Sequence, residues 1–180
     1  MSAVRELLAE GRFHESSVEQ VADRAGISRA TLYQHFRSRL ELVDEICDTF
    51  DVNPALLAIR QTVVLDDAHA ALTETLLHCV EFWSSEDPIL SQLYGVAAID
   101  PAAQDLVERQ RADRRNEIER LAHRLRTAGR LRSPMTEPQA AALLMILTSY
   151  DTYRELREAK LPHGKITNTL QDTARTLLLA

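Results

Sequence analysis

Residues 16–43 read SSVEQVADRAGISRATLYQHFRSRLELV, and this stretch sets both the fold and the first functional expectation. From Arg24 to Leu40 there is no Asp or Glu, while Arg24, Arg29, His35, Arg37 and Arg39 fall inside that window. The chain as a whole is acidic, with 27 Asp+Glu against 21 Lys+Arg and a formal net charge of −6. An acidic chain that clears carboxylates from one stretch leaves that stretch able to approach something negatively charged.

The same stretch carries its own helix punctuation. Ser17 offers an N-cap oxygen, and Gln20 three residues later completes a capping box. Val18, Val21, Ala22 and Ala25 follow at helical spacing and predict one buried stripe. Gly26 suits the positive φ of a sharp turn. Ser28 caps a third helix whose Leu32 and Phe36 point inward, and Ser38 caps a fourth carrying Leu40, Val43, Cys47 and Phe50. Upstream, Val4, Leu7 and Leu8 give a helix face that ends at Gly11. Short helices joined by a tight glycine turn in a three-helix core outline a helix-turn-helix.

Beyond residue 54 the chain still reads as helical. Ala71, Leu72, Leu76, Cys79, Val80 and Trp83 recur at helical spacing, and a short apolar piece is bracketed by Pro88 and Pro101. Residues 102–128 form a charged amphipathic helix on Leu106, Ile118, Leu121, Ala122 and Leu125, closed by Gly129. Thr136 caps a helix expected over 137–159, apolar almost all round from Ala140 to Leu147 and so expected to be buried on more than one side. A last helix runs over 164–179. With 5 Gly and 6 Pro in 180 residues, the composition agrees with an all-α chain.

Composition also narrows the class. Cys47 and Cys79 have no CxxC spacing and sit among apolar neighbours, which predicts buried free thiols. The N-terminal residues lack a signal peptide's apolar core, and no apolar run approaches the roughly 20 residues of a membrane span. A cytoplasmic protein with no membrane association is expected. His14, His69, His123 and His163 are scattered without metal-ligand spacing, and neither a GxSxG elbow nor a phosphate-binding glycine loop is present. No catalysis, metal or cofactor is expected.

The outward face of the third helix carries Arg29, Ala30, Tyr33 and Gln34, with Thr31 and His35 at its flanks. Arg pairs bidentately with guanine O6/N7 and Gln with adenine N6/N7, while Ala30 is small enough to let the backbone approach a groove. Thr31, Tyr33 and His35 can donate to phosphate oxygens, which fix register without reading sequence. The start of the fourth helix at Ser38-Arg39 offers backbone N–H groups and a guanidinium to a phosphate. Ser17 and Ser28 complete the expected DNA-binding set.

These residues closely resemble the DNA-binding domain of the tetracycline-repressor (TetR) family. The resemblance is carried by Ser17-Val18, Val21-Ala22, Ala25-Gly26-Ile27-Ser28, Ala30-Thr31-Leu32-Tyr33, His35-Phe36, Ser38-Arg39 and Leu42, without a gap over residues 16–43. It implies an N-terminal three-helix DNA-binding domain, residues 1–46, and a helical ligand-binding and dimerisation domain, residues 47–180. It also implies a homodimer on a double-stranded DNA operator, repressing until an unidentified small molecule releases it. Arg39 stands where the family usually has Lys, which keeps the charge and changes the geometry. The family's first helix usually starts several residues earlier than Met1, so a phosphate contact from its N-terminal end is expected to be missing or to lie upstream of Met1. Two other readings stay open: a ligand-independent repressor, and a helical interaction protein whose head no longer grips DNA.

In the second domain, His78, Trp83, Tyr94, Met145, Tyr150 and Asp151 are the candidate ligand contacts, with Tyr153 nearby. Trp83 needs a partner for its N–H when buried, and a carboxylate at Asp151 needs solvent or a partner after so apolar a stretch. Leu143, Leu147 and Leu156, then Ile166, Leu170 and Leu177, are the candidate dimer contacts on the last helices. Such a dimer would set two recognition helices about 34–36 Å apart, one turn of DNA.

Overall fold

The structure, a computed structural model, describes residues 2–11, 16–36, 38–62 and 65–180. His14, Arg37 and the side chains of Leu8, Arg39, Leu40 and Val43 lie outside the described set. Among the described residues there are ten α-helices, a 3-10 turn at Thr49–Val52 and no strand beyond one isolated bridge. The helices are α1 (Ser2–Ala9), α2 (Val18–Ala25), α3 (Arg29–His35), α4 (Arg39–Asp48), α5 (Pro54–Gln61), α6 (Ala68–Ala97), α7 (Pro101–Thr127), α8 (Glu137–Leu147), α9 (Tyr150–Glu158) and α10 (His163–Leu178). Two compact units result, Met1–Val52 with Ser85–Gln110, and Asn53–Ser84 with Arg111–Ala180.

In the first unit α1 packs on α2 and α4, and α2 on α3. Val4, Leu7, Val21, Ala22, Leu32, Leu42, Ile46 and Phe50 are its buried centre. Each such aliphatic side chain contributes about 1.5–3 kcal/mol by leaving water. Ala25 is exposed, so the α2 stripe ends at Ala22. Arg5 ties the start of the unit together: it donates to Thr49 Oγ1 at 3.1 Å, pairs with the buried Glu86 at 3.0 Å and lies 6.0 Å from the Phe50 ring centroid.

The second unit centres on Leu72, Leu76, Val80, Ile118, Leu125, Leu144, Tyr150, Ile166, Ala174 and Leu178, all buried. α10 packs on α8 and α9. After α10 the chain pairs back with residues 130–132: Leu131 and Leu179 form an antiparallel bridge, and Ala180 N donates to Arg130 O at 3.0 Å.

α6 runs without interruption through Pro88, although a proline cannot donate back to the carbonyl of Ser84. Two expectations change. The helix expected over 137–159 is two helices. Thr148 turns its hydroxyl back onto Leu144 O at 2.7 Å, and Ser149 then caps α9 by accepting from Thr152 N at 3.1 Å. α8 is not buried all round: Leu144 is fully covered, whereas Ile146 is 59% exposed.

Candidate nucleic-acid interface

Local hydrogen bonds hold α2 and α3 at a sharp turn. Ser17 Oγ accepts from Gln20 N at 3.2 Å while Ser17 N donates to Gln20 Oε1 at 2.8 Å, which closes the capping box. Gly26 sits at φ 67°, the left-handed region where a side chain would be strained, and its N–H is shared between the Ala22 and Asp23 carbonyls. Ser28 Oγ then accepts from Thr31 N at 3.0 Å and starts α3. Ser17 and Ser28 are therefore helix caps first, each with its oxygen already accepting a backbone N–H.

With Leu32 buried and Phe36 half-buried, the opposite side of α3 is open: Arg29, Ala30, Tyr33, Gln34 and His35 are exposed and Thr31 half-exposed. The Thr31 and Ser28 hydroxyls lie 2.8 Å apart. One of the two donates to the other, which leaves a single hydroxyl hydrogen for an outside acceptor. Ser38 Oγ accepts from Glu41 N at 3.2 Å and caps α4. The face has the donors for phosphate and, in Arg29 and Gln34, the planar groups that read base edges.

The electrostatics are less bare than the sequence window suggests. Arg24 pairs with Glu6 at 3.2 Å and with Glu10, both on the first-helix segment. Those hydrogen bonds, Glu10's first, raise the Arg24 pKa further above its ordinary value. Arg29 pairs with Glu19 of α2 and lies 5.4 Å from the Tyr33 ring centroid, and its pKa is raised chiefly by Tyr33 and then by Glu19. Stretches empty of carboxylates along the chain thus receive Glu6, Glu10 and Glu19 in space. Their positions before the window gave no sign of this, because only the crossing of helices brings them near.

The candidate ligand residues divide between the units. Tyr94 belongs to the first, half-buried; the others belong to the second. There Trp83 is buried and its Nε1 donates to Thr148 O at 3.1 Å, while the Trp83 and Tyr150 rings lie 5.7 Å apart. Tyr153 stacks on Tyr150 at 6.2 Å. Arg114, which the sequence did not single out, lies 6.0 Å from the Trp83 centroid and donates to Met145 O at 3.3 Å. His78 sits between Glu81 at 2.7 Å and Glu74 at 3.5 Å, and Asp151 is exposed to solvent. None of the six lines the surface groove of about 540 Å³ formed by Asn116, Glu119, Arg120, His123 and Arg124. Of the candidate dimer residues, Leu147, Ile166 and Leu170 are buried within the chain, Leu143 and Leu156 are half-buried, and Leu177 is 42% exposed.

Among the described residues no group of three or more His, Cys, Asp or Glu could hold a metal ion, and no helix is long and apolar enough to cross a membrane. Residues 1–46 match the model of the bacterial regulatory proteins of the tetR family. Over 40 residues the chain is 45% identical to the HTH-type transcriptional activator FasR of Mycolicibacterium smegmatis, a segment that is 22% of this chain and 18% of that relative. The fold is similar over 99% of the chain to two solved regulators. One, from Saccharomonospora viridis and in complex with choline, has a TM-score of 0.76 at 18% identity with 95% of its chain covered. The other, SmeT, the repressor of the Stenotrophomonas maltophilia multidrug efflux pump SmeDEF, has a TM-score of 0.75 at 17% identity with 88% of its chain covered. A capped helix-turn-helix with an open polar face thus matches the tetR-family model over residues 1–46, and the chain as a whole shares its fold with solved regulators.

Proposed function

We propose that this chain is a cytoplasmic transcriptional repressor that binds a pseudo-palindromic DNA operator as a homodimer and is released by a small molecule. The observation that carries the reading is the open face of α3, where Arg29, Tyr33, Gln34 and His35 are exposed above the buried Leu32. In this reading Arg29 and Gln34 read bases, Thr31, Tyr33 and His35 hold phosphates, and the α4 start at Arg39 adds another phosphate contact. A homodimer is supported by Ile146 of α8 and Leu177 of α10, large apolar side chains left open beside half-buried Leu143 and Leu156. Leu147, Ile166 and Leu170 are buried within the chain. Ligand control is supported by the aromatic group around Trp83 and Tyr150 and by the similar fold of a regulator solved with choline. Repression is supported by the likeness to SmeT, while FasR is named an activator.

The test is fluorescence anisotropy of the purified chain against duplexes from the DNA flanking its own gene, with scrambled duplex as competitor. Tight binding that scrambled DNA does not displace is expected. A candidate inducer found by thermal shift is then added at saturation. For a ligand to act it must favour one of two states of the dimer, so unchanged operator affinity in its presence would end the ligand-released reading and leave a ligand-independent repressor.

A further inference from the structure

Resting on the DNA-binding reading, a second residue is implicated in how the head chooses a sequence. Arg29 is the first residue of α3, and its Nη1 is engaged by Oε1 of Glu19 on α2 while the guanidinium lies against Tyr33. Both partners are open to water, the Glu19 side chain 46% exposed and that of Arg29 59%. We propose that Glu19 is a positioning residue that fixes Arg29 on the Tyr33 ring and reserves its remaining N–H edge for a guanine.

The argument is one of charge and geometry. A free arginine on a DNA-facing helix meets the phosphate backbone first, since each phosphate is an anion and the base edge is neutral. A carboxylate beside the guanidinium repels phosphate and leaves a neutral pair of acceptors unaffected, so it biases Arg29 toward O6 and N7 of guanine. The guanidinium carries five N–H donors in a planar fork, and with Glu19 engaging Nη1 and Tyr33 taking another, enough are left for a bidentate contact. Glu19 is itself held. Hydrogen bonds from its own backbone N–H and from the Ser17 hydroxyl keep its pKa below the ordinary carboxylate value, with Arg29 adding to the effect. The Ser17 hydroxyl that caps α2 and the orientation of the reader on α3 are therefore linked through Glu19.

The experiment selects binders from duplexes with a randomised 20-base-pair centre using the full chain (about two turns of DNA). Anisotropy with the selected duplex and each single-base-pair variant follows, for wild type, Glu19→Gln, Arg29→Ala and the double variant. Wild type should show one G·C position whose replacement weakens binding about tenfold or more, a preference that Arg29→Ala abolishes. Glu19→Gln should bind unrelated duplex more tightly, yet shrink that preference to about a third, as loss of a carboxylate that repels phosphate requires. In the Arg29→Ala background, Glu19→Gln should leave every base preference unchanged. If Glu19→Gln keeps the wild-type preference at every position, or changes it equally without Arg29, Glu19 is an ordinary surface charge and the proposal is wrong. A wild-type chain that selects no sequence would instead overturn the DNA-binding reading itself. Thermal unfolding of each variant separates these outcomes from loss of the α2 cap.

Discussion

Arg29 over Tyr33 and Arg114 over Trp83 are chemically similar pairs in the two units, yet their surroundings give them opposite fates. The first pair stands in water, with Tyr33 43% exposed. The second is enclosed: Trp83 is 9% exposed, and its N–H and the Arg114 guanidinium both turn to carbonyls at the C-terminal end of α8. A cation there meets the negative end of the helix dipole. What the pairing does is therefore set by burial, with exposed partners free for another molecule and buried partners serving the core.

The largest test of this contrast is Trp83→Ala, which should lower unfolding free energy by about 3–5 kcal/mol in urea titration, because a buried ring leaves a cavity. A loss below about 1 kcal/mol would mean the site collapses freely or is already open. Next in size, Arg5→Ala should cost about 3 kcal/mol by taking an ion-pair partner from the buried Glu86 carboxylate, and Arg5→Ala with Glu86→Leu should recover most of it. That outcome would show that the first unit too has an arginine whose work is internal.

Cys47 and Cys79 lie one in each unit, both free and buried, and burial pushes each thiol up to about 12 from an ordinary 9.0. With the folded pKa raised, the stabilisation from the neutral thiols is fully present below pH 9 and is lost as pH rises toward 12. Urea midpoints should therefore hold steady to about pH 8.5 and fall above it, and the native chain should resist alkylation at pH 8 until denatured. Rapid native labelling of either cysteine would break the parity between the units. The smallest expected stability change is for Tyr33→Ala, within about 0.5 kcal/mol, although the same variant should lose operator binding. A large drop in melting temperature would place Tyr33 with Trp83 after all.

Local chemistry was legible in the sequence. Ser17 with Gln20, Ser28, Ser38 and Thr136 cap the helices they were expected to cap, and Gly26 and Gly129 take positive φ. Each such signal is satisfied within four residues, so the pattern alone contains it. The continuity of α6 through Pro88 was not legible, because the packing of Ile89, Leu90 and Leu93 outweighs one missing hydrogen bond. Nor was the division at Ser149, where two hydroxyls compete for backbone groups inside an otherwise helical pattern. The site was half legible. The open face of α3 followed from Leu32 and Phe36, whereas Glu19 beside Arg29 and Arg114 beside Trp83 depend on how helices cross.

The carboxylates that reach Arg24 and Arg29 have one more consequence. An arginine in solution is neutralised by mobile salt anions, and binding to DNA is favoured as ions disperse from both surfaces. Glu6, Glu10 and Glu19 are tethered, and an arginine that keeps such a partner neutralises no phosphate and frees no cation from the DNA. Each phosphate neutralised normally adds about −0.9 to the slope of log K against log salt concentration. A head rich in arginine by sequence should therefore show a slope shallower by about two such steps than its arginines suggest, since Arg24 and Arg29 bring their own partners. Its grip on DNA should vary less with the salt around it than the sequence implies.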